Sequence, residues 1–348
     1  MKFIYIILFI TTLASYSQDA NSIGKDALIE LQNKNFNGAA KLFDSAYTIS
    51  GNHDYLYEKA YVSYKRKDFK STIKILESFI HDVEAKDRYY QLLGSSYDFI
   101  GEKDKALNVI RMGITKIPNS SRLYYELGVT EYGRSNTQEA ISYWDLGVKL
   151  DPTYSNNYFQ LMKETYQSDR KVYSMIFAEI FLNLPDDDLK KKEASSIVYN
   201  VYKTSLELNN TKAEPDFTEY IGEYDPSKAA EYPFRTAFQQ IANKVYKPTL
   251  KIGFNEIIKF RTDFINLWFE NGYNELFPNP LFEYHKLMID EGFFETYSYM
   301  TLSSGNLDEF KIWMFENRSK FTEFINWQYQ YPIDLKTFIF NSSAYIEN

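Results

Sequence analysis

The sequence predicts an all-α protein. Its first half reads as a helix-turn-helix solenoid of about five repeats, and the remainder as a further all-helical region. Three observations predict this. The chain matches itself at an offset of 34: Leu93-Gly94 and Leu127-Gly128, Ala106 and Ala140, and Pro118 and Pro152 are each 34 residues apart, a period typical of stacked supersecondary units. Gly (14) and Pro (10) together are too few for the turns of a many-stranded sandwich or barrel. Beyond the repeats, Ile257, Phe260, Phe264, Ile265 and Trp268 recur at the spacing of one helix face.

In chain order, residues 1–17 read as a signal peptide. Lys2 supplies a positive start, and Phe3 to Leu13 is an apolar run too short to span a bilayer comfortably. Ser15 and Ser17 place small residues at a cleavage site that leaves Gln18 as the mature N-terminus. A buried N-terminal helix is the structural alternative. No later apolar run reaches the ~18 residues of a transmembrane helix. The absence of Cys excludes disulfides, thiol nucleophiles and Cys-based zinc sites. Exported, cysteine-free and rich in Tyr, Asn, Lys and Ile, the chain reads as a periplasmic or secreted protein of an AT-rich, two-membrane bacterium.

Residues 18–186 read as the solenoid. The fullest copy has Leu127, Gly128, Ala140, Trp144, Gly147 and Pro152, and the one before it Leu93, Gly94, Tyr97, Ala106, Ile110, Gly113 and Pro118. Two antiparallel helices approach closely only where side chains are small, which Gly94/Ala106 and Gly128/Ala140 provide. Trp144 fills the space towards the next repeat, and Pro152 cannot continue a helix. Weaker copies flank these: Ala27, Phe36, Ala39, Phe43 and Ala46; Ala60, Phe69, Thr72, Leu76 and Phe79; and Leu161, Met162, Ser174, Ala178, Phe181 and Pro185.

Residues 187–226 read as a capping helix and linker. Asp186, Asp187 and Asp188 suit a helix N-terminus, Leu189 to Leu208 reads as one helix, and Asn209 to Pro226 as a linker or ordered loop. Residues 227–348 read as a separate C-terminal helical domain, with helices over Ser227 to Val245, Phe254 to Phe269, Leu281 to Leu302 and Leu307 to Gln328. Gly305-Asn306-Leu307-Asp308-Glu309 echoes a repeat loop, but Phe310 occupies the slot of the small Ala.

The template of residues 22 to 186 resembles the tetratricopeptide repeat. The resemblance implies that the first helix of each hairpin lines a concave groove and that the protein binds other proteins. The implied groove positions are three before the Gly slot and one, four and five after it: three before gives Tyr57, Gln91, Tyr125 and Phe159, four after gives Tyr64, Asp98, Tyr132 and Tyr166, and one after adds Tyr61, Ser95, Val129 and Lys163. Six of the eight at three before and four after are aromatic. Tyr combines apolar area, low rotamer entropy and a hydrogen-bonding hydroxyl, so the series reads either as a ladder for a ligand or as packing between neighbouring helices. Lys65, Arg88, Arg122 and Lys163 are the only cations near it, so a clamp for peptide carboxylates is not indicated.

No catalytic residue, metal ligand set or cofactor is indicated. His53, His81 and His285 have no second His at helical ligand spacing, and no nucleophile elbow, zinc-protease or phosphate-loop motif occurs. The net charge of −8 disfavours nucleic acid. The leading expectation is a non-enzymatic scaffold holding a protein or peptide in an aromatic-lined groove. A structural or assembly subunit of an envelope complex, acting through the aromatic C-terminal domain, is the alternative, with homo-oligomerisation open. An enzyme with its site in that domain is the minor one.

Overall fold

The computed structural model describes residues 19–81, 84, 86–167, 170–207, 214–217, 233–249 and 251–336. The expected signal peptide and its cleavage site at Ser17/Gln18 lie outside the described residues. Those residues form helices joined by turns, with no strand among them. By internal contacts the chain divides into two compact units, Met1–Ala140 and Ile141–Asn348. The division falls inside a helix, whereas the sequence placed its boundaries at residues 186 and 226.

The first unit contains α1 (19–32), α2 (Phe36–Ser50), α3 (His53–Lys65), α4 (Phe69–Glu77), α5 (Asp87–Phe99), α6 (Lys103–Lys116), α7 (Ser121–Tyr132) and the start of α8 (Thr137–Leu150). The turn inside each hairpin is built the same way four times. Lys34, Lys67, Gly101 and Ser135 are left-handed, with φ of 61, 62, 82 and 69°. The next residue, Asn35, Asp68, Glu102 or Asn136, donates its N–H to the carbonyl five residues back, on Glu30, Ser63, Tyr97 or Glu131, at 2.8 to 3.0 Å. That pairing satisfies carbonyls the helix end would leave orphaned. Asn35 and Asp68 then cap the following helix with their side chains, accepting from the N–H of Gly38 and Ser71. One residue thus ends one helix and starts the next.

The small slots behave as their sizes require. A Cβ on Gly94 would meet Ile110 Cδ1 at 2.5 Å, and Ala39, Ala60, Ala106 and Ala140 are fully buried. Thr72 stands in an Ala slot and still fits, because its hydroxyl donates to Asp68 O in its own turn (3.0 Å) and lies 3.3 Å from Ala60 O in the facing helix.

The second unit holds the rest of α8, α9 (Ser155–Gln167), α10 (Lys171–Leu182), α11 (Asp188–Leu206), α12 (Pro233–Val245), α13 (Phe254–Glu270), α14 (Tyr273–Leu276), α15 (Pro280–Asp290), α16 (Phe294–Leu302), α17 (Leu307–Glu316) and α18 (Arg318–Gln330). Ser174 repeats the Thr72 device, donating to Met162 O across α9 and α10 at 3.0 Å. Trp144 is buried, as its slot requires. Asp187 caps α11 through the N–H of Leu189 and Lys190. Helix α11 packs on α9 and α10 on one side and on α16 on the other. Trp268, Phe234, Phe264 and Phe282 form an aromatic core, with rings 5.4 to 5.9 Å apart.

Two expectations change. The helices expected over 281–302 and 307–328 each divide in two: Gly292, left-handed at φ 80°, separates α15 from α16, and Asn317 separates α17 from α18. Most of the expected linker lies outside the described residues. Phe217 within it is fully buried and stacks on Phe260 at 5.4 Å, so this part is ordered loop.

Candidate functional site

Helices α3, α5 and α7 of the first unit carry most of the groove positions. A residue of the array and its counterpart one period on occupy equal places on successive first helices. Position −3 gives Tyr57, Gln91 and Tyr125, all half-buried, and position +4 gives Tyr64 and Asp98, half-buried, and Tyr132, 43% exposed. These side chains are neither core nor fully solvated.

The −3 row is tied into a polar network. Arg88 lies over the Tyr57 ring at 4.4 Å and also bonds Asp54 and Glu58. Gln91 accepts from Arg122 Nη1 at 2.7 Å and donates to Glu126 Oε1 at 2.8 Å, while Ser95 donates to Glu126 Oε2 at 2.9 Å. Glu126 is buried, and burial raises its carboxyl above the usual range despite those two donors. Burial acts on Asp54 in the same direction, but hydrogen bonds from Lys86, Tyr89 and Arg88 outweigh it and hold the group at about 2. Burial pushes the hydroxyls of Tyr57 and Tyr64 up to about 12, so both remain neutral donors.

The +4 row has a different neighbourhood. Tyr64 stands edge-on to Phe69 and Phe99 at 5.4 and 5.8 Å, and Phe69 stacks on Phe99 at 4.7 Å. Phe99 is 62% exposed. Sequence reasoning named the position five after the Gly slot without reading out Phe99, which occupies it, and passed over Glu126, whose partners Ser95 and Gln91 are 31 and 35 residues away. The 34-residue step was the available signal for Phe99.

In the second unit the two candidates part. Phe159 is only 8% exposed, packs on Phe181 at 5.3 Å, and has Lys163 and Lys190 over its ring at 5.6 and 5.3 Å. Its ring serves packing, and it is withdrawn from the ligand face. Tyr166 is 41% exposed and lines a cleft of about 330 Å³ between α9 and α11 with Lys163, Gln167, Glu193 and Asn200.

His285 also has a definite place. Its Nε2 lies 3.1 Å from Glu179 Oε2, the oxygen that Arg261 Nη2 binds. Burial holds His285 below its ordinary value, and Arg261 and His285 outweigh burial to keep Glu179 ionised. Tyr202, Phe294 and Tyr297 surround the Arg261 guanidinium at 5.0 to 5.8 Å. All three polar side chains are closed to solvent, so the cluster joins α10, α13 and α15 and faces no open surface. Among the described residues no group of three or more His, Asp or Glu is placed to hold a metal, and no helix is long and apolar enough to cross a membrane.

Residues 12–145 match the model of the tetratricopeptide repeat family. That stretch of the chain carries tetratricopeptide repeats. Such repeats serve as scaffolds for protein–protein interaction and are generally non-catalytic. Solved structures similar to the chain include a thermophilic tetratricopeptide protein of Thermus thermophilus, 14% identical over 51% of this chain and 98% of that one, with a TM-score of 0.45. MamA of Desulfovibrio magneticus is 17% identical over 47% and 90%, with a TM-score of 0.36. YrrB, a tetratricopeptide protein described as having an unusual peptide-binding site, is 13% identical over 52% and 94%, with a TM-score of 0.35. No curated protein matches.

Proposed function

We propose that this protein is an exported, non-enzymatic scaffold that holds a protein or peptide on the face shared by α3, α5 and α7. One observation carries the reading: Tyr57, Tyr64, Gln91, Asp98, Tyr125 and Tyr132 keep accessible surface at two positions that return every 34 residues. A row of half-exposed rings with hydrogen-bonding tips suits an extended or helical segment. The test is capture of a partner from envelope extract by the full protein and by Tyr125→Ala and Tyr132→Ala. Each substitution is expected to weaken capture by about 1–2 kcal/mol and to leave the melting temperature nearly unchanged. Lost stability with unchanged capture would return these rings to packing. Export rests on the run Phe3 to Leu13 followed by Ser15 and Ser17. N-terminal sequencing of the exported protein should begin at or near Gln18, and retention of Met1 would overturn the periplasmic or secreted assignment.

A second reading is favoured by α17 and α18, on which Leu307, Ile312, Phe315, Ile325 and Tyr329 are exposed, Phe315 to 76%. Exposed apolar side chains in this number suit assembly with another subunit or a second copy. Phe315→Asp would then lower the mass of the assembly in solution, and an unchanged mass would remove the reading.

A further inference from the structure

The face on α3, α5 and α7 does not treat positive and negative charge alike. Its cations are already held: Lys86 and Arg88 by Asp54, Arg88 also by Glu58, Arg122 by Gln91 and Asp87, and Lys65 over the Tyr61 ring at 5.1 Å. Asp98 is the exception among the acids. Among the described residues no cation and no hydrogen-bond donor reaches its carboxylate, although it is half-buried near the C-terminal end of α5.

The neighbourhood of Asp98 is aromatic. Tyr64 holds the same position as Asp98 on the preceding first helix and stands edge-on to Phe99, which is exposed and stacked on Phe69. Tyr64 also senses the charges of Glu126 and Asp98, which places the ring and the two carboxylates in one locality. A carboxylate in one locality with a half-buried tyrosine and an exposed phenylalanine is suited to a cation on an alkyl stem: the charge meets the carboxylate, the ring quadrupole adds attraction, and the methylenes cover apolar surface.

We propose that Tyr64, Asp98 and Phe99 receive a lysine or arginine side chain of the partner, so that the segment bound to this face is basic. The proposal rests on the reading of α3, α5 and α7 as a binding face and adds the chemistry of what binds there.

The test uses the full protein and two fluorescein-labelled decapeptides, alternating Lys-Ala and alternating Glu-Ala, followed by anisotropy. Measurement at about 0.15 M ionic strength limits the reach of remote charges to a Debye length of about 8 Å. The Lys-Ala peptide is expected to bind and the Glu-Ala peptide not to. Asp98→Asn, which keeps size and shape, should weaken Lys-Ala binding about tenfold, and Phe99→Ala several-fold. Asp308→Asn removes the same charge from an exposed position on α17 and should change binding less than about twofold. Equal losses in Asp98→Asn and Asp308→Asn would reduce the effect to general attraction by an acidic protein and overturn the proposal. So would binding of Glu-Ala, or no binding of Lys-Ala. The underlying reading fails separately: if Tyr125→Ala and Tyr132→Ala leave partner capture intact, the face falls. If they abolish capture while Asp98→Asn captures like the wild type, the face stands and the cation site falls.

Discussion

At the scale of single residues, the buried triad of Glu179, Arg261 and His285 couples three helices through one carboxylate. A charge pair sealed from water is stable only with complete partners, so Arg261→Met, which strands the Glu179 carboxylate, should cost about 3–5 kcal/mol in denaturant unfolding. His285 gives the triad a pH signature. Its folded value is depressed below the ordinary 6.5, so the unfolded chain takes up the proton first. The stability this residue contributes is complete above about 6.5 and is lost as pH falls from there towards the folded value. His285→Gln keeps a side-chain donor but does not titrate. It is expected to flatten the fall of melting temperature between about pH 7.5 and 5.5, and an unchanged slope would assign that fall to other groups. None of this was legible in the sequence, where His285 stood as an isolated histidine. Its partners are 24 and 106 residues away, and only the packing of α10 and α13 against α15 brings them together.

At the scale of elements, the hairpin turn is the repeated unit of construction. Gly101 is left-handed at φ 82°, with nothing within 4 Å of the position a Cβ would take. Gly101→Ala should therefore cost only backbone strain, about 1–2 kcal/mol, while Ala140→Leu, in a fully buried slot, overpacks and should cost about 1–3 kcal/mol. Trp144→Ala should cost about 3–5 kcal/mol as a buried ring is lost. Melting of the three variants checks the register, and wild-type melting by both Ala140→Leu and Trp144→Ala would show it to be wrong. The solenoid helices were legible because most signals are local: a small residue returning at a fixed slot, and Pro118, Pro152 and Pro185 after three of the second helices. The breaks at Gly292 and Asn317 were not, because the apolar pattern runs on through them and one left-handed backbone position decides the first. The groove rows came from the family resemblance read through the 34-residue step, and neither could separate exposed Tyr166 from buried Phe159, whose fate depends on Phe181, Lys163 and Lys190 around it.

At the scale of the whole molecule, a net charge of −8 and a face whose free charge is Asp98 act in the same direction. A basic partner is drawn in by the long-range field and held by the local site. Raising ionic strength should slow its association markedly and change its dissociation little, which stopped-flow mixing separates. The central claim is that the repeat face, and not the apolar surface of α17 and α18, meets the partner. Photocrosslinking with a benzophenone amino acid placed at position 132 in one variant and at position 315 in another, carried out in the native cell, tests it most directly. The account predicts an adduct from position 132 and none from position 315, and an adduct from position 315 alone would contradict it.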